Sequence, residues 1–205
     1  MKVLELFAGS RSIGRQAEAL GMEVFSSDIH AFPGIDYAVN ILEFDVAKVP
    51  FKPDIIWASP PCTTFSVASI GHHWTGGSKA YIPKSQAAVV GQAIAMKTKE
   101  IIRHFDPQYF YIENPRGLLR KMPFMADMLR HTVTYCQYGD SRMKPTDIWT
   151  NNMHWNPRPV CRNGDPCHVA APRGARTGTQ GMSGAYDRSK VPDALCREVL
   201  EACIR

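Results

Sequence analysis

The feature that most constrains the fold of this chain is a regular alternation of short apolar runs with stretches of helical periodicity. Apolar runs such as VLELFA, EVFSSDI and KPDIIWAS are typical of buried strands. Helical patterns such as SIGRQAEALG and SQAAVVGQAIAMKTKEIIRHF lie between them. Strands that alternate with helices form a mostly parallel sheet with helices on both faces. We therefore predict an α/β fold, for which 205 residues provide one sizeable core and a small appendage.

The middle and the end of the chain continue this pattern. VNILEF reads as a third short element, and QYFYIENP reads as a strand that ends in polar residues. We further predict a helix over FMADMLRHT, a strand over VTYCQYG and a closing helix over VPDALCREVLEACI. No internal repeat interrupts this order.

Polar residues or glycines follow four of the predicted strands. They are Gly9, Asp28, Cys62 and Glu113. Because ligands of open α/β sheets bind at the carboxyl ends of the strands, these four residues are expected to share one site. Gly9 suits a tight turn before a helix. Asp28 suits an acceptor for ribose hydroxyls, although a turn residue would look the same.

The stretch SPPCTTFS places Cys62 directly after two prolines. Proline fixes φ and cannot extend a sheet ladder, so the two prolines form a stiff exit from the strand DIIWA. A cysteine held in this way is a nucleophile, a metal ligand or a small buried residue.

Charge and cysteine content restrict the surroundings of the protein. The net charge of +5 is concentrated in residues 157–190, which carry six Arg or Lys against two Asp. No apolar run approaches the ~20 residues that cross a bilayer, and MKVLELFAGS lacks the apolar core of a signal peptide. We therefore expect a cytoplasmic protein of a bacterium or a phage-infected cell, with no membrane partner. In that compartment, the six cysteines favour metal or catalytic roles over disulfides.

A weak zinc candidate lies in the basic segment. It consists of His154, Cys161, Cys167 and His168, whose spacing matches no standard CxxC pattern. Free thiols and a surface histidine are therefore the default interpretation, and a zinc site is the open alternative. Cys136, Cys196 and Cys203 read as core residues.

With ELFAG, PPCTTFS and IENP in this order, the chain resembles the DNA cytosine-5 methyltransferase family. ELFAG resembles the cofactor motif of that family, PPCTTFS its Pro-Cys catalytic motif and IENP its Glu-Asn motif. RSKVPDALCREVLEA resembles the final helix, which folds back beside the first motif. The compact length and the KPTDIW form resemble small phage-encoded members. The resemblance implies a Rossmann-like methyltransferase fold that uses S-adenosylmethionine.

The chemistry of this family explains the residue types. A thiolate at Cys62 that adds to C6 of cytosine turns the ring into an enamine, whose C5 can then attack a methyl sulfonium. Glu113 would stabilise the negative charge that develops toward N3. The enzyme must first extrude the target base from the duplex.

The resemblance implies further site residues by position. Those implied for the cofactor are Phe7, Gly9, Asp28, Ile29, Asn40 and Pro61. Those implied for the substrate are Ser66, Asn114, Arg142 and Lys144. Arg11 and Ser12 replace glycines of the family's cofactor turn, and Lys144 and Thr146 stand where the family has a pair of arginines. Arg142 is a candidate for the missing cation.

These expectations divide the chain into two parts. Residues 1–150 and 188–205 would form the catalytic domain, and 151–187 a small DNA-recognition segment whose stretch PRGARTGTQG can follow phosphates. Residues 63–84 would be a loop that closes over DNA, with His72, His73 and Trp74 near the vacated stack. We expect a monomer that acts on double-stranded DNA at a site of about two or three base pairs.

Two other functions remain open. The same motifs occur in a tRNA-modifying branch, so structured RNA is an alternative substrate. A non-catalytic DNA-binding protein on the same fold is the second alternative. An oxidoreductase is disfavoured because FAGSRS lacks the GxGxxG pattern, and an amino-methyltransferase because Cys62 stands where an aromatic residue would stack the base.

Overall fold

The computed structural model of the chain describes residues 1–77, 80–170 and 184–204. The strands of this described part are β1 (Lys2–Leu6), β2 (Glu23–Asp28), β3 (Tyr37–Ala38), β4 (Ile55–Ala58), β5 (Trp74–Thr75), β6 (Ile82–Pro83), β7 (Tyr109–Pro115), β8 (Leu129–Thr134) and β9 (Pro145–Thr150). The helices are α1 (Ser12–Ala19), α2 (Ile70–His73), α3 (Gln86–Phe105), α4 (Ala185–Ser189) and α5 (Asp193–Glu201).

Seven strands form one sheet in the order β3-β2-β1-β4-β7-β9-β8. The first five strands in this order pair in parallel, and β9 runs antiparallel between β7 and β8. The prediction of a mostly parallel sheet is therefore confirmed. The chain order changes direction between β1 and β4, and the carboxyl ends of strands at such a switch point leave a crevice for ligands.

Helices cover both faces of the sheet. Residues alternate across β1, so that Val3 packs on one face with Ile13 of α1 and Val199 of α5. Leu4 packs on the other face with Ile101 of α3. The backbone N–H of Val191 donates to Ser12 Oγ at 3.2 Å, which places the segment before α5 beside the start of α1. The closing helix thus folds back beside the first motif, as the sequence predicts.

The helix predicted over FMADMLRHT is wrong. Pro123–Met125 form a single 3-10 turn, and Leu129–Thr134 form strand β8, which pairs with β9. The strand predicted over VTYCQYG ends early, because Tyr135–Tyr138 form another 3-10 turn. Pairing with a neighbouring strand decides the conformation here, since the β-branched residues Thr132, Val133 and Thr134 suit a ladder better than a helix.

Two further regions differ from the sequence-based expectation. In VNILEF the chain forms a 3-10 turn at Ile41–Glu43, and the short strand β3 precedes it. The expected loop 63–84 contains the one-turn helix α2 and the β5–β6 hairpin. Residues 151–170 form neither helix nor strand, and PRGARTGTQG lies outside the described residues. Within the described part of the chain, no helix is long and apolar enough to cross a membrane.

Candidate active site

A cavity of about 660 Å³ opens at the switch point between β1 and β4. The predicted site residues that line it are Phe7, Pro61, Cys62, Ser66, Glu113 and Lys144. Arg188, Ser189 and Val191 form part of its wall from the carboxyl-terminal segment. The expected nucleophile and the expected carboxyl group therefore face the same space.

Cys62 is held at the end of β4 by its neighbours in the fold. The Asn114 side-chain amide donates to the Pro60 carbonyl at 2.8 Å, which fixes the proline exit to β7. The backbone N–H groups of Phe65 and Ser66 both donate to the Cys62 carbonyl at 3.0 Å. The resulting tight turn leaves the Cys62 side chain partly buried at the cavity wall.

The loop after β7 fixes the far side of this turn. Leu118 N–H donates to the Phe65 carbonyl at 2.7 Å. A Cβ added at Gly117 would stand 2.3 Å from the same carbonyl oxygen, so only glycine allows this approach. The Pro-Cys turn and the segment after IENP thus form one unit.

Glu113 lies on β7, next to β4, and is almost fully buried. The Tyr135 hydroxyl donates a hydrogen bond of 2.8 Å to Glu113 Oε1. Burial and the neighbouring Glu113 raise the pKa of Tyr135 well above its usual value, so Tyr135 remains a donor. Tyr135 therefore orients the Glu113 carboxyl group through Oε1.

The surroundings of the Cys62 thiol favour its protonated form. Burial and the nearby Glu113 raise the pKa of Cys62, and Lys144 and Arg188 oppose this increase only in part. A thiol in such a site is mostly protonated near neutral pH. Removal of the Cys62 proton is therefore disfavoured by its surroundings.

Lys144 is one of two basic residues, with Arg188, that line the described cavity. Its Nζ donates to the Arg188 carbonyl at 2.9 Å and lies 4.5 Å from the centre of the Tyr135 ring. Burial lowers the pKa of Lys144, and the nearby Glu113 opposes that shift. Its backbone φ of 29° lies in the left-handed region, which costs energy for a residue with a side chain.

The loop after β1 forms the other half of the cavity. Phe7, Gly9 and Arg11 have φ values of 57°, 49° and 54°, so the chain turns through the left-handed region at every second residue. Asp28 accepts from the backbone N–H groups of Gly9 and His30, each at 2.9 Å. The backbone conformation of Arg11 is therefore one that glycine, the residue of the family at this position, would adopt without strain.

The remaining predicted residues lie outside the cavity wall. Ile29 is 62% exposed, and Asn40 caps the 3-10 turn after β3 by accepting from Leu42 N–H. Arg142 is paired with Asp140 and donates to the carbonyls of 187, 188 and 190. Arg142 thus holds the segment before α5, and Lys144 and Arg188 are the cations at the cavity.

The side chain of Trp74 is not available to DNA in this structure. It is buried, stacks on Phe65 with ring centres 5.5 Å apart and donates from Nε1 to the Thr64 carbonyl. The expectation that it lies near a vacated base stack is therefore wrong. His73 shares a hydrogen bond of 2.7 Å with Ser85, whereas His72 is exposed.

The weak zinc candidate is corrected at one position. Cys161, Cys167 and His168 come together, but the fourth member of the cluster is Cys136 and not the exposed His154. Cys136 is buried, as expected, yet its sulfur faces the cluster. None of the six cysteines, all of which lie in the described part of the chain, forms a disulfide.

Three residues of the site were not predicted: Glu5, Tyr135 and Arg188. Glu5 is 2% exposed, accepts from Ile13 N–H and Ser26 Oγ–H, and lines the cavity; burial raises its pKa from 4.5 to about 7. An acid inside the apolar run VLELFA was the available signal for Glu5. No local pattern identifies Tyr135, because its role depends on the pairing of distant strands.

Comparison with known proteins agrees with this geometry. Residues 1–128 match the model of the family described as C-5 cytosine-specific DNA methylase. A protein of Frog virus 3 (isolate Goorha), named probable DNA (cytosine-5)-methyltransferase, is 29% identical over 99% of this chain and 100% of its own length.

Among solved structures, a mutant of Spodoptera frugiperda DNMT2 matches with a TM-score of 0.50 and 19% identity. The match covers 80% of this chain and 57% of the insect protein, and it supports the Rossmann-like methyltransferase fold. The family match includes both Cys62 and Glu113. The chain therefore belongs to the C-5 cytosine-specific DNA methylase family.

Proposed function

We propose that this protein transfers a methyl group from S-adenosylmethionine to C5 of cytosine in double-stranded DNA. The observation that carries the proposal is that Cys62 and Glu113 line one cavity with the loop after β1. A thiol and a buried carboxyl group in one cavity are the pair that nucleophilic activation of a pyrimidine requires.

Cys62 provides the nucleophile. Its sulfur loses a proton and bonds to C6 of the extruded cytosine, which moves an electron pair toward C5 and N3. The Glu113 carboxyl group donates its proton in a hydrogen bond to N3 and stabilises that charge, while Tyr135 keeps the carboxyl group in place. After C5 has gained the methyl group, loss of the C5 proton restores the double bond and breaks the sulfur–C6 bond. The thiolate of Cys62 then recovers its proton.

Lys144 and Arg188 complete the substrate side of the cavity. Positive charge beside Cys62 and Glu113 favours the thiolate and also faces the O2 edge of a cytosine bound through N3. We propose Ser66 and Asn114 as supporting residues, because Ser66 lines the cavity and Asn114 fixes the Pro60 carbonyl.

The residues of the β1 loop fit S-adenosylmethionine. When bound, this cofactor supplies an electrophilic methyl group on a sulfonium. A Cβ added at Gly9 would meet no atom closer than the Asp28 carboxylate at 3.9 Å, so the loop faces open space. Phe7 and Pro61 provide apolar surface. We propose that Asp28, which accepts from Gly9 N–H of this loop, also accepts from ribose hydroxyls. Ile29 and Asn40 would lie at the adenine end.

DNA recognition is assigned to residues 151–187, outside the catalytic domain formed by 1–150 and 188–205. This segment is too short to present many side chains to base edges, so we propose a site of about two or three base pairs. Its excess of arginine suits the phosphate backbone. We propose that the protein acts as a monomer.

The test is the identity of the methylated nucleoside. The protein is incubated with isotopically labelled S-adenosylmethionine and either duplex DNA or structured RNA, and the nucleosides are separated by chromatography and mass spectrometry. We expect labelled 5-methyl-2′-deoxycytidine from DNA, loss of this product in Cys62→Ser, and its retention in the matched control Cys203→Ser. Label in RNA alone would assign the activity to RNA. Binding without any transfer would indicate a non-catalytic DNA-binding protein.

A further inference from the structure

Four metal-binding side chains converge beside the turn after β8, and none of them lines the cavity. The sulfur of Cys136 lies 3.0 Å from that of Cys161 and 3.5 Å from that of Cys167. His168 Nδ1 lies 3.7 Å from the sulfurs of both Cys161 and Cys167. All four ligand atoms lie within 4.8 Å of one another.

This spacing is suited to one tetrahedral metal ion. Zinc binds cysteine sulfur at about 2.3 Å and histidine nitrogen at about 2.0 Å, so that neighbouring ligand atoms stand roughly 3.5 to 4 Å apart. Three of the four distances, from 3.5 to 3.7 Å, match these values, and the Cys136–Cys161 distance of 3.0 Å would have to widen slightly around an ion. Three thiolates and one imidazole form a Cys₃His set, which is typical of closed structural zinc sites and leaves no position for a substrate.

The four ligands come from two parts of the fold. Cys136 lies in the 3-10 turn after β8, whereas the other three belong to residues 151–170, which form neither helix nor strand. Only two hydrophobic side chains of this described segment are buried, those of Trp155 and Cys161. A bound metal can order a loop with so little core, because the free energy of metal binding contributes directly to folding.

Other contacts hold the same parts in place. Cys161 N–H donates to Thr134 Oγ1 at 3.0 Å, and Val169 N–H donates to the Ser141 carbonyl at 2.9 Å. Gln137 Nε2 lies 3.5 Å from the Cys167 sulfur, within reach of a hydrogen bond to a thiolate ligand. These contacts keep the ligands together and support their charge.

We propose that Cys136, Cys161, Cys167 and His168 bind one zinc ion that fastens the segment 151–170 to the turn after β8. The ion bonds to three sulfurs and to His168 Nδ1, and the three thiols release their protons to solvent. Cys136 directly follows Tyr135, which orients Glu113, so the ion would connect the recognition segment with the active site. The site does not depend on the proposed methyl transfer.

Zinc content of the full-length protein tests the proposal. Protein purified under reducing conditions is analysed by elemental mass spectrometry, and we expect about one zinc per chain. Cys167→Ser is the most informative variant, because Cys167 is exposed and its replacement leaves the core intact. It should lose most of the zinc, as should His168→Ala, whereas the control His154→Ala should retain it.

Two further measurements separate metal loss from unfolding. Replacement of zinc by cobalt should give intense visible bands of a tetrahedral site and a sulfur-to-cobalt charge-transfer band, both weakened in Cys167→Ser. Chelation should make residues 151–170 sensitive to protease while S-adenosylmethionine binding persists. The proposal is overturned if the folded wild-type protein holds no more zinc than Cys167→Ser after zinc is added. A Cys136–Cys161 disulfide in the protein as purified would also overturn it.

Discussion

Glu5 is a buried carboxyl group whose protonation affects stability. Its pKa is raised from 4.5 to about 7 because burial disfavours the charged form. Between these two values the folded protein holds a proton that the unfolded chain has lost, so stability falls as pH rises through this range. Above about pH 7 the loss is complete and amounts to about 3 kcal/mol.

We therefore predict that Glu5→Gln stabilises the protein at alkaline pH. The free energy of unfolding, measured with urea, should exceed that of the wild type by up to about 3 kcal/mol near pH 8 and differ little near pH 4. Glu23→Gln on the surface serves as the control and should show no such pH dependence. An equal effect of Glu5→Gln at both pH values would contradict this account.

The reactivity of Cys62 should respond in opposite directions to two neighbouring charges. Glu113 raises the pKa of Cys62 and Lys144 lowers it. At neutral pH, Glu113→Gln should therefore accelerate alkylation of Cys62 by iodoacetamide, and Lys144→Met should slow it. Peptide mass spectrometry distinguishes alkylation of Cys62 from alkylation of the other cysteines.

In Glu113→Gln the rate of methyl transfer should fall, whereas the rate of Cys62 alkylation should rise. Loss of a general acid–base group costs about 10²–10⁴-fold in rate. A more reactive thiol with much slower transfer would show that Glu113 acts on the substrate and not as a base for Cys62. Slower alkylation in Glu113→Gln would contradict the electrostatic picture.

At the scale of single residues, the sequence predicts those site residues that lie within short motifs. Cys62 and Glu113 are marked by Pro-Pro-Cys and by IENP, and both line the cavity. Tyr135 and Cys136 could not be assigned, because their roles depend on a turn that closes against residues far along the chain. In the sequence, His154 lies closer to Cys161 than Cys136 does, and this proximity favours His154 as a zinc ligand. Only the fold brings Cys136 to the cluster.

Among the elements, the contact between the Pro-Cys turn and the segment after β7 is the tightest at the site. A methyl group at Gly117 would come within 2.3 Å of the Phe65 carbonyl oxygen, so the backbone would have to move. Such overpacking typically costs about 1–3 kcal/mol. Because Phe65 N–H donates to the Cys62 carbonyl, a displacement of Phe65 would also displace Cys62, the proposed nucleophile.

We predict that Gly117→Ala lowers the rate of methyl transfer by at least about tenfold, since small displacements of reacting groups are costly. Gly71→Ala is the matched control, because a methyl group there meets no atom within 4 Å. Single-turnover rates at saturating DNA measure the effect. Equal rates for the two variants would show that the Pro-Cys turn tolerates displacement.

The elements that the sequence predicted well are those with strong local patterns. The long helix α3 follows from its apolar periodicity, and its amino end is capped by Ser85, which accepts from Ala88 N–H. Strand β8 was mistaken for a helix because Met and Leu in FMADMLRHT favour helices locally. Pairing with β9 overrode that preference, and no local signal reveals a partner strand.

For the whole molecule, the uneven charge distribution predicts how DNA binds. Six basic residues in 157–190 provide the excess of positive charge, and each phosphate contact contributes about −0.9 to the slope of log K against log salt. The Arg173→Ala/Arg176→Ala double variant should weaken DNA binding and reduce the slope by about 2. Both positions lie outside the described residues, so this prediction rests on the sequence.

Fluorescence anisotropy with labelled duplex DNA over a series of salt concentrations measures the slope. Arg197→Ala is the control, because Arg197 pairs with Glu201 on the exposed side of α5. Its slope should match the wild type. An unchanged slope in the double variant would place the phosphate contacts elsewhere on the protein.

The architecture of the whole chain can be predicted from the sequence where strands alternate with helices. The strand–helix alternation gave the parallel sheet, and the sheet order placed the cavity at its switch point. The internal structure of 151–170 was not predictable, since it has neither periodicity nor a core. There the fold depends on side-chain contacts such as Cys161 N–H to Thr134 Oγ1.

The most direct test of the central claim is a covalent trap at Cys62. Duplex DNA that contains 5-fluorocytosine is incubated with the protein and S-adenosylmethionine, because fluorine at C5 cannot leave as a proton and the sulfur–C6 bond persists. We predict a denaturation-resistant adduct, mapped by mass spectrometry to Cys62 and absent in Cys62→Ser. Methyl transfer to C5 without any adduct, or an adduct that survives Cys62→Ser, would contradict the account.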